Sequence, residues 1–321
     1  MTNPILSLAA WMARLLPMKV KRGIYRLEPL ARLVRLGLNR ATPHGLTTVA
    51  IAAGGLAGLR MSLDLQSEKD YWLGTYESEL QATINNLVQP GMVAYDVGAN
   101  IGYISLLLAR RVGGTGRVFA FEALPSNLER LHTNLELSGY SEIVDVVPVA
   151  VVECDRRVRF LVGPSGGMGK AEGSAGRQEV YYSDALEVEG ISLDSFISQK
   201  GNPAPQVVKM DIEGGEVLAM PGMRRLLRTA RPIVLLELHG PEASRVAWEV
   251  LSNADYRICG MQVGFPSVPS LEALDWKAYL LAIPSQRCSL PTSMGMLHGG
   301  HGGQNRSETP WEPLQEERQR G

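Results

Sequence analysis

Three cysteines in 321 residues, Cys154, Cys259 and Cys288, stand far apart with no C-x-x-C pair. That spacing argues against both a disulfide framework and a thiolate zinc site, and it suits a reducing cytoplasm. Net charge is equally scarce: 32 Lys and Arg against 33 Asp and Glu leave -1, so no global field draws the chain to nucleic acid. Long apolar runs are missing too. The best stretch, "TTVAIAAGGLAGL", is too short and too rich in glycine to span a bilayer. At the start of the chain Arg14 interrupts the apolar run and no basic residue precedes it, a poor match to a cleaved signal peptide. No internal repeat is evident. What is there, with 45% hydrophobic residues, is enough apolar surface for one large core.

The ends differ from the middle. In the first forty residues Arg14, Lys19, Lys21, Arg22, Arg26, Arg32, Arg35 and Arg40 face only Glu28, and they alternate with leucines in the manner of amphipathic helices. Such a segment fits a helical cap on the rest of the protein, the commoner role for a surface helix. Peripheral contact of residues 1–40 with an anionic membrane surface is the alternative. From Pro284 onward the chain is rich in Gly, Pro, Ser and charge and has little to bury. His298 and His301 in "HGGHGG" are weak metal ligands in so flexible a tract. The expected layout is a basic amphipathic extension over 1–65, an α/β domain over 66–284 and a disordered tail over 285–321.

Between the ends, strand and helix alternate, the pattern of a parallel sheet covered on both faces. Strands are expected near Met92–Asp96, Arg117–Glu122, Val144–Val149, Gln206–Asp211 and Pro232–His239. Helices are expected near Ile101–Arg111, Ser126–Leu137, Gly215–Arg228 and Glu242–Ala254, where apolar residues recur at helical spacing. After Gly260 the signal weakens. Between Val151 and Gly190, "RRVRFLVG" and "QEVYYS" read as strands around a glycine-rich loop.

The stretch "VAYDVGANIGYISLLLAR" is a buried strand turning sharply into a helix. A dinucleotide fingerprint needs G-x-G-x-x-G, but here Gly98 and Gly102 are four apart with Asn100 between them, so that template fails. Glycine lets a backbone approach a ligand closely, and Asn tolerates left-handed dihedrals almost as well. Asp96 at the strand end could accept from an ammonium. Glu122, one βα unit later, could accept from both hydroxyls of a ribose. An amino acid joined to a nucleoside suits two such acids, and S-adenosylmethionine is that molecule. Carboxylates beside the turn would repel a pyrophosphate.

In order along the chain, "GTYESE", "DVGANIG", "FAFEALPSN", "VVKMDIEGGE" and "PIVLLELHG" resemble the blocks of FkbM-type methyltransferases, over roughly Tyr71 to Arg257. The resemblance implies a Rossmann-like class I methyltransferase fold, with a mostly parallel seven-stranded sheet and helices on both faces. It also implies S-adenosylmethionine as methyl donor, and as acceptor a hydroxyl of a small molecule or glycan. Carried onto this sequence, Asp96, Gly98, Ala99, Asn100 and Gly102 would line the methionine side and Glu122 would hold the ribose. The acceptor and the oligomeric state stay open.

For the chemistry, Asp211 and Glu213 end the fourth strand, where neighbouring strand tips converge on one crevice. A positioned base there would lower the barrier to methylating a hydroxyl. Their structural alternatives are a helix cap and a loop anchor. His239 ends the next strand, and a near-neutral pKa would suit it to the same task, with Glu237 two residues earlier placed to orient it. A satisfied strand-end histidine is the competing account. Trp72 and Tyr76 read either as a lid over the cofactor or as core, and Glu77 as support for that lid or a helix-terminal charge. No metal requirement is expected, because Asp211 and Glu213 have no further Asp, Asn or His clustered beside them in sequence.

Overall fold

Strands form where β-branched and aromatic residues run together, and helices where apolar residues return every three or four positions. The computed structural model describes residues 4–16, 32, 36–38, 40–42, 44–163, 168–176, 182 and 184–286, all within one unit, Met1–Cys288. In chain order the elements are α1 (Pro4–Leu15), β1 (Leu46–Ala50), β2 (Arg60–Asp64), α2 (Lys69–Leu73), α3 (Ser78–Leu87), β3 (Val93–Val97), α4 (Tyr103–Val112), β4 (Arg117–Phe121), α5 (Pro125–Ser138), β5 (Val144–Val147), β6 (Ala150–Val151), β7 (Arg156–Val162), β8 (Gly169–Ala171), β9 (Asp184–Ile191), α6 (Leu193–Ser198), β10 (Val207–Met210), α7 (Glu216–Ala219), α8 (Arg224–Thr229), β11 (Ile233–His239), α9 (Pro241–Asn253), β12 (Tyr256–Gly260) and β13 (Lys277–Pro284).

Seven of these strands make the main sheet, in the order β12-β13-β11-β10-β3-β4-β5. Neighbours run parallel except at β13, which is antiparallel to both β11 and β12. This is the mostly parallel seven-stranded sheet that the resemblance implies. Chain order reverses between β3 and β10, and at such a point an open α/β sheet leaves a crevice beyond the strand ends. The register sets Asp96 beside Lys209 and Val97 beside Met210. Alternation along β3 then divides the faces. Tyr95 and Val97 join a core cluster with residues of α6 to α9, whereas Asp96 turns the other way and accepts a hydrogen bond from Ser105 of α4 at 2.6 Å. Tyr95, Phe119, Phe121 and Phe196 form an aromatic knot with ring centroids 4.9–5.6 Å apart, the geometry aromatic pairs favour.

The structure departs from the sequence expectations in several places. The helix read over Gly215–Arg228 is broken: α7 and α8 flank a 3-10 turn at Met220–Met223, because Pro221 has no N–H to donate and clashes with the preceding turn. Two strands that the sequence pattern does not announce, β12 and β13, complete the sheet, the second of them past Gly260 where the signal weakens. The segment "RRVRFLV" is a strand as expected, but its hairpin partner is β9, "DALEVEGI"; most of "QEVYYS" lies outside the described residues. With β6 and β8 these strands make a second sheet, over a smaller core that includes Leu124, Val152, Val158 and Phe160.

Of the extension over 1–65, the second half holds a hairpin, β1–β2, fixed to α5 by Ser62 N–H to Asn134 Oδ1 at 2.7 Å and by Ser138 Oγ to Arg60 O at 2.8 Å. Helix α1 buries Leu6 and Ala13 and leaves Leu8, Trp11 and Leu15 exposed. Its Arg14 donates from Nε to Ala52 O at 3.0 Å. Most of the basic residues between 17 and 35, and the tail from residue 287, His298 and His301 included, lie outside the described residues. Among the described residues no helix is long and apolar enough to cross a membrane.

Candidate active site

The turn from β3 to α4 takes three left-handed steps, at Gly98 (φ 79°), Asn100 (φ 51°) and Gly102 (φ 91°), as the glycine and asparagine spacing implies. It is clamped on both sides. The N–H groups of Gly98 and Ala99 both donate to Phe121 O at the tip of β4, and on the β10 side Lys209 Nζ donates to Gly98 O at 3.0 Å. At Gly98 a Cβ would stand 2.0 Å from Asp211 O, so no other residue fits there without moving the chain just after β10.

Glu122 follows the tip of β4 and is 7% exposed. Its carboxylate accepts from the N–H groups of Asn100, Leu124 and Ala123 at 2.8, 2.9 and 3.0 Å. Burial pushes its pKa up, and these bonds push back. Glu122 and the turn residues Gly98, Ala99 and Asn100 line one cavity of about 690 Å³. So do two cationic side chains, Arg130 and Lys209. Both are already matched: Arg130 grips Glu68 with Nη2 2.6 Å from Oε2, and Lys209 stands 3.2 Å from Asp96. Among the described lining residues no unpaired cation is left for a phosphate.

Asp211 and Glu213 line the same cavity from the β10 side. Burial raises the Asp211 pKa to about 7; Lys209 pulls it down and Glu237 pushes it up. Behind Asp211 the fold gathers acids from separate parts of the chain. His239 has Glu237 Oε1 at 3.1 Å and Glu213 Oε2 at 3.8 Å from its Nε2, and Glu216 Oε1 at 3.7 Å and Asp211 Oδ1 at 4.0 Å from its Nδ1. Burial opposes a charged imidazole, yet Glu216, Glu237 and Asp211 lift its pKa to about 10. Glu237 is itself held low, about 2, by His239 and Lys277 against burial. Glu77, ahead of α3, is pushed up to about 8 by burial and by Glu237 and Asp211.

Residues 96–258, half of the chain, match the methyltransferase FkbM domain family. The chain belongs to this family. Over 166 residues it is 28% identical to the hexuronic acid methyltransferase AglP of Haloferax volcanii, covering 50% of this chain and 62% of that protein. Over 59 residues, 18% of the chain and 23% of the relative, it is 49% identical to a protein-L-isoaspartate O-methyltransferase of Aeropyrum pernix. The solved FkbM methyltransferase of Methylobacillus flagellatus overlaps at 19% identity with a TM-score of 0.39, covering 68% of this chain and 53% of that one. The chain thus spans less than two thirds of the length of each of these relatives.

The cavity lining lacks three residues that the sequence reading placed at the site: Asp96, Gly102 and His239. Asp96 does not face the cavity: it is fully buried, and Ser105 and Lys209 take up its carboxylate, so it ties the turn to the sheet rather than offering a site for an amine. His239 is 2% exposed and off the cavity lining, so its ring is not placed to take a proton from a group in the cavity; Glu237 stands 3.1 Å from its Nε2, as its place on the strand implies. Trp72 is fully buried core. Tyr76 does line the cavity, its ring tilted against Tyr71 at 4.3 Å and edge-on to Tyr103 at 5.6 Å between centroids. Sequence reasoning missed Lys209, Glu216 and Tyr71. A lysine inside the apolar strand "VVKMD" was the available signal for the first; the other two are ordinary until the fold brings them in.

Proposed function

We propose that this chain is an S-adenosylmethionine-dependent O-methyltransferase acting on a hydroxyl of a sugar, a glycan or a secondary metabolite. The observation that carries the reading is one crevice lined by Glu122 from the β4 side and Asp211 from the β10 side, whose two described lining cations, Arg130 and Lys209, are both paired. That donor set matches a ligand with hydroxyls at one end and positive charge at the other. A nicotinamide dinucleotide would bring a pyrophosphate to a place that offers it no counter-charge.

S-adenosylmethionine, when bound, supplies a methyl group on a sulfonium. The chain's own part is to hold and to accept. Glu122, aimed by three backbone N–H groups, accepts from hydroxyls. The left-handed turn lets the backbone come close to the ligand. Tyr71, Tyr76 and Tyr103 wall the cavity with aromatic surface that excludes water. Asp211, on the cavity wall, takes the proton that an acceptor hydroxyl gives up. A sugar acceptor is favoured by the likeness to a hexuronic acid methyltransferase.

The test is mass spectrometry of candidate acceptor pools incubated with the protein and S-adenosylmethionine. A gain of one methyl group is expected, slowed about 10²- to 10⁴-fold in Asp211→Asn, the usual share of a general base. Methylation at the parent rate in Asp211→Asn would rule that carboxylate out as the base.

A further inference from the structure

We propose that His239 Nδ1, Asp211 Oδ1 and Glu216 form a binding site for one first-row divalent cation of the Mn²⁺ or Zn²⁺ class, beside the cavity and behind the tip of β10. The inference does not depend on methyl transfer: it concerns a cluster of which only Asp211 faces the crevice.

One imidazole and two carboxylates present ligand atoms that lie within 4.8 Å of one another. Acids cluster on many surfaces without an ion, but this group is distinguished by what its buried atoms lack. His239 Nδ1, Asp211 Oδ1 and Glu216 Oε2 have no hydrogen-bond partner, although His239 is 2% exposed and Glu216 fully buried. Leaving such atoms unpaired is costly, and native interiors rarely do so. The spacing suits an ion. Nδ1 stands 4.0 Å from Asp211 Oδ1 and 3.7 Å from Glu216 Oε1. The latter oxygen also accepts from Ile212 N–H at 3.0 Å, so that Oε2 of the same carboxylate is the one left unpartnered. Adjacent ligands at ordinary bond lengths of about 2.1 Å sit roughly 3.0–3.4 Å apart. Contraction of the two Nδ1 distances by roughly 0.3–1.0 Å closes the site around an ion.

The surroundings have the form that ligating histidines take. A metal-bound imidazole nearly always gives its other ring N–H to a carboxylate, which fixes the tautomer and aims the free lone pair. Here Nε2 lies 3.1 Å from Glu237 Oε1, and Lys277 holds Glu237 in turn. Charge points the same way. Lys209 is matched by Asp96 and Lys277 by Glu237, which leaves Asp211, Glu213 and Glu216 about one imidazole, with Glu77 close to Asp211. Glu213, with its side chain 37% exposed, marks the side of access from solvent. One nitrogen and two carboxylate oxygens favour Mn²⁺ or Zn²⁺ over Ca²⁺, which takes oxygen alone.

The experiment titrates the full chain, stripped with EDTA and then freed of chelator, with MnCl₂, reading free Mn²⁺ by its electron paramagnetic resonance signal. One equivalent is expected to bind. Glu216→Gln and His239→Gln should each weaken it about tenfold or more, and Glu237→Gln about 10- to 100-fold through the imidazole it orients. Glu242→Gln, on the surface of α9, should leave it unchanged. No binding up to millimolar Mn²⁺, or binding of equal strength in all the variants, would overturn the site and leave a proton on His239 as the occupant. Should a variant fail to fold, the parent decides by nuclear magnetic resonance: substoichiometric Mn²⁺ must broaden the ring signals of His239 before those of exposed His132, and the reverse order overturns the proposal.

Discussion

Lys209 and Asp96 face each other across β10 and β3 with 5% and 0% of their side chains exposed. A buried pair of this kind adds little over a well-packed apolar pair, but removing one partner strands the other charge. Lys209→Met should therefore cost about 3–5 kcal/mol in a denaturant melt. Lys209→Met with Asp96→Asn should recover part of that loss, because no charge is then left uncompensated. A double variant less stable than the single would contradict the pairing. The same residues show what the sequence could not disclose. Asp96 at a strand end looks free to meet a ligand, and only the register of two strands more than a hundred residues apart reveals the lysine that claims it. The position of Glu122 at the strand tip was legible in the sequence. Two of its hydrogen bonds come from the next two residues, Ala123 and Leu124, but the third, from Asn100, depends on the β3–β4 pairing. His239 was legible as a strand-tip residue, but its charge state depends on Glu216 and Glu237, which the fold brings to it.

The turn between β3 and α4 is the element on which the site depends. Its three left-handed positions follow from residue type, so its shape is readable from the sequence alone. What sequence hides is how closely it is held: the added Cβ of Gly98→Ala would meet Asp211 O at 2.0 Å, at a φ of 79° that alanine resists. That variant should lose more than about 1 kcal/mol of stability and weaken cofactor binding. Gly114→Ala, with nothing within 4 Å, should melt close to the parent, and equal melting of the two would show the turn to be looser than described. Legibility among the other elements follows burial. β3, β4, β10 and β11 are covered on both faces and read as apolar runs broken only by single polar residues such as Asp96, Lys209 and Glu237, and β11 is buried at all seven positions. β13 is no less apolar, but it follows an irregular stretch and runs antiparallel, so strand–helix alternation gave no reason to expect it. In the helix after Gly215 the apolar period continues through Pro221, although the backbone does not.

At the scale of the whole molecule the sheet brings together two tips that are distant in sequence, β4 with Glu122 and β10 with Asp211, at the point where chain order reverses. Seven strands with one reversed agree with the mostly parallel sheet that the resemblance implies; the second sheet of β6 to β9 is only partly legible, because its glycine-rich middle breaks the periodic signal. Whether this crevice takes S-adenosylmethionine is decided by calorimetric titration. One equivalent of S-adenosylmethionine should bind, and NAD should give no heat. With Glu122→Ala, folded by its melting curve, affinity should fall by about 1.5–3 kcal/mol, the worth of hydrogen bonds to a charged group. Binding of NAD in place of S-adenosylmethionine, or affinity untouched by Glu122→Ala, would contradict the assignment.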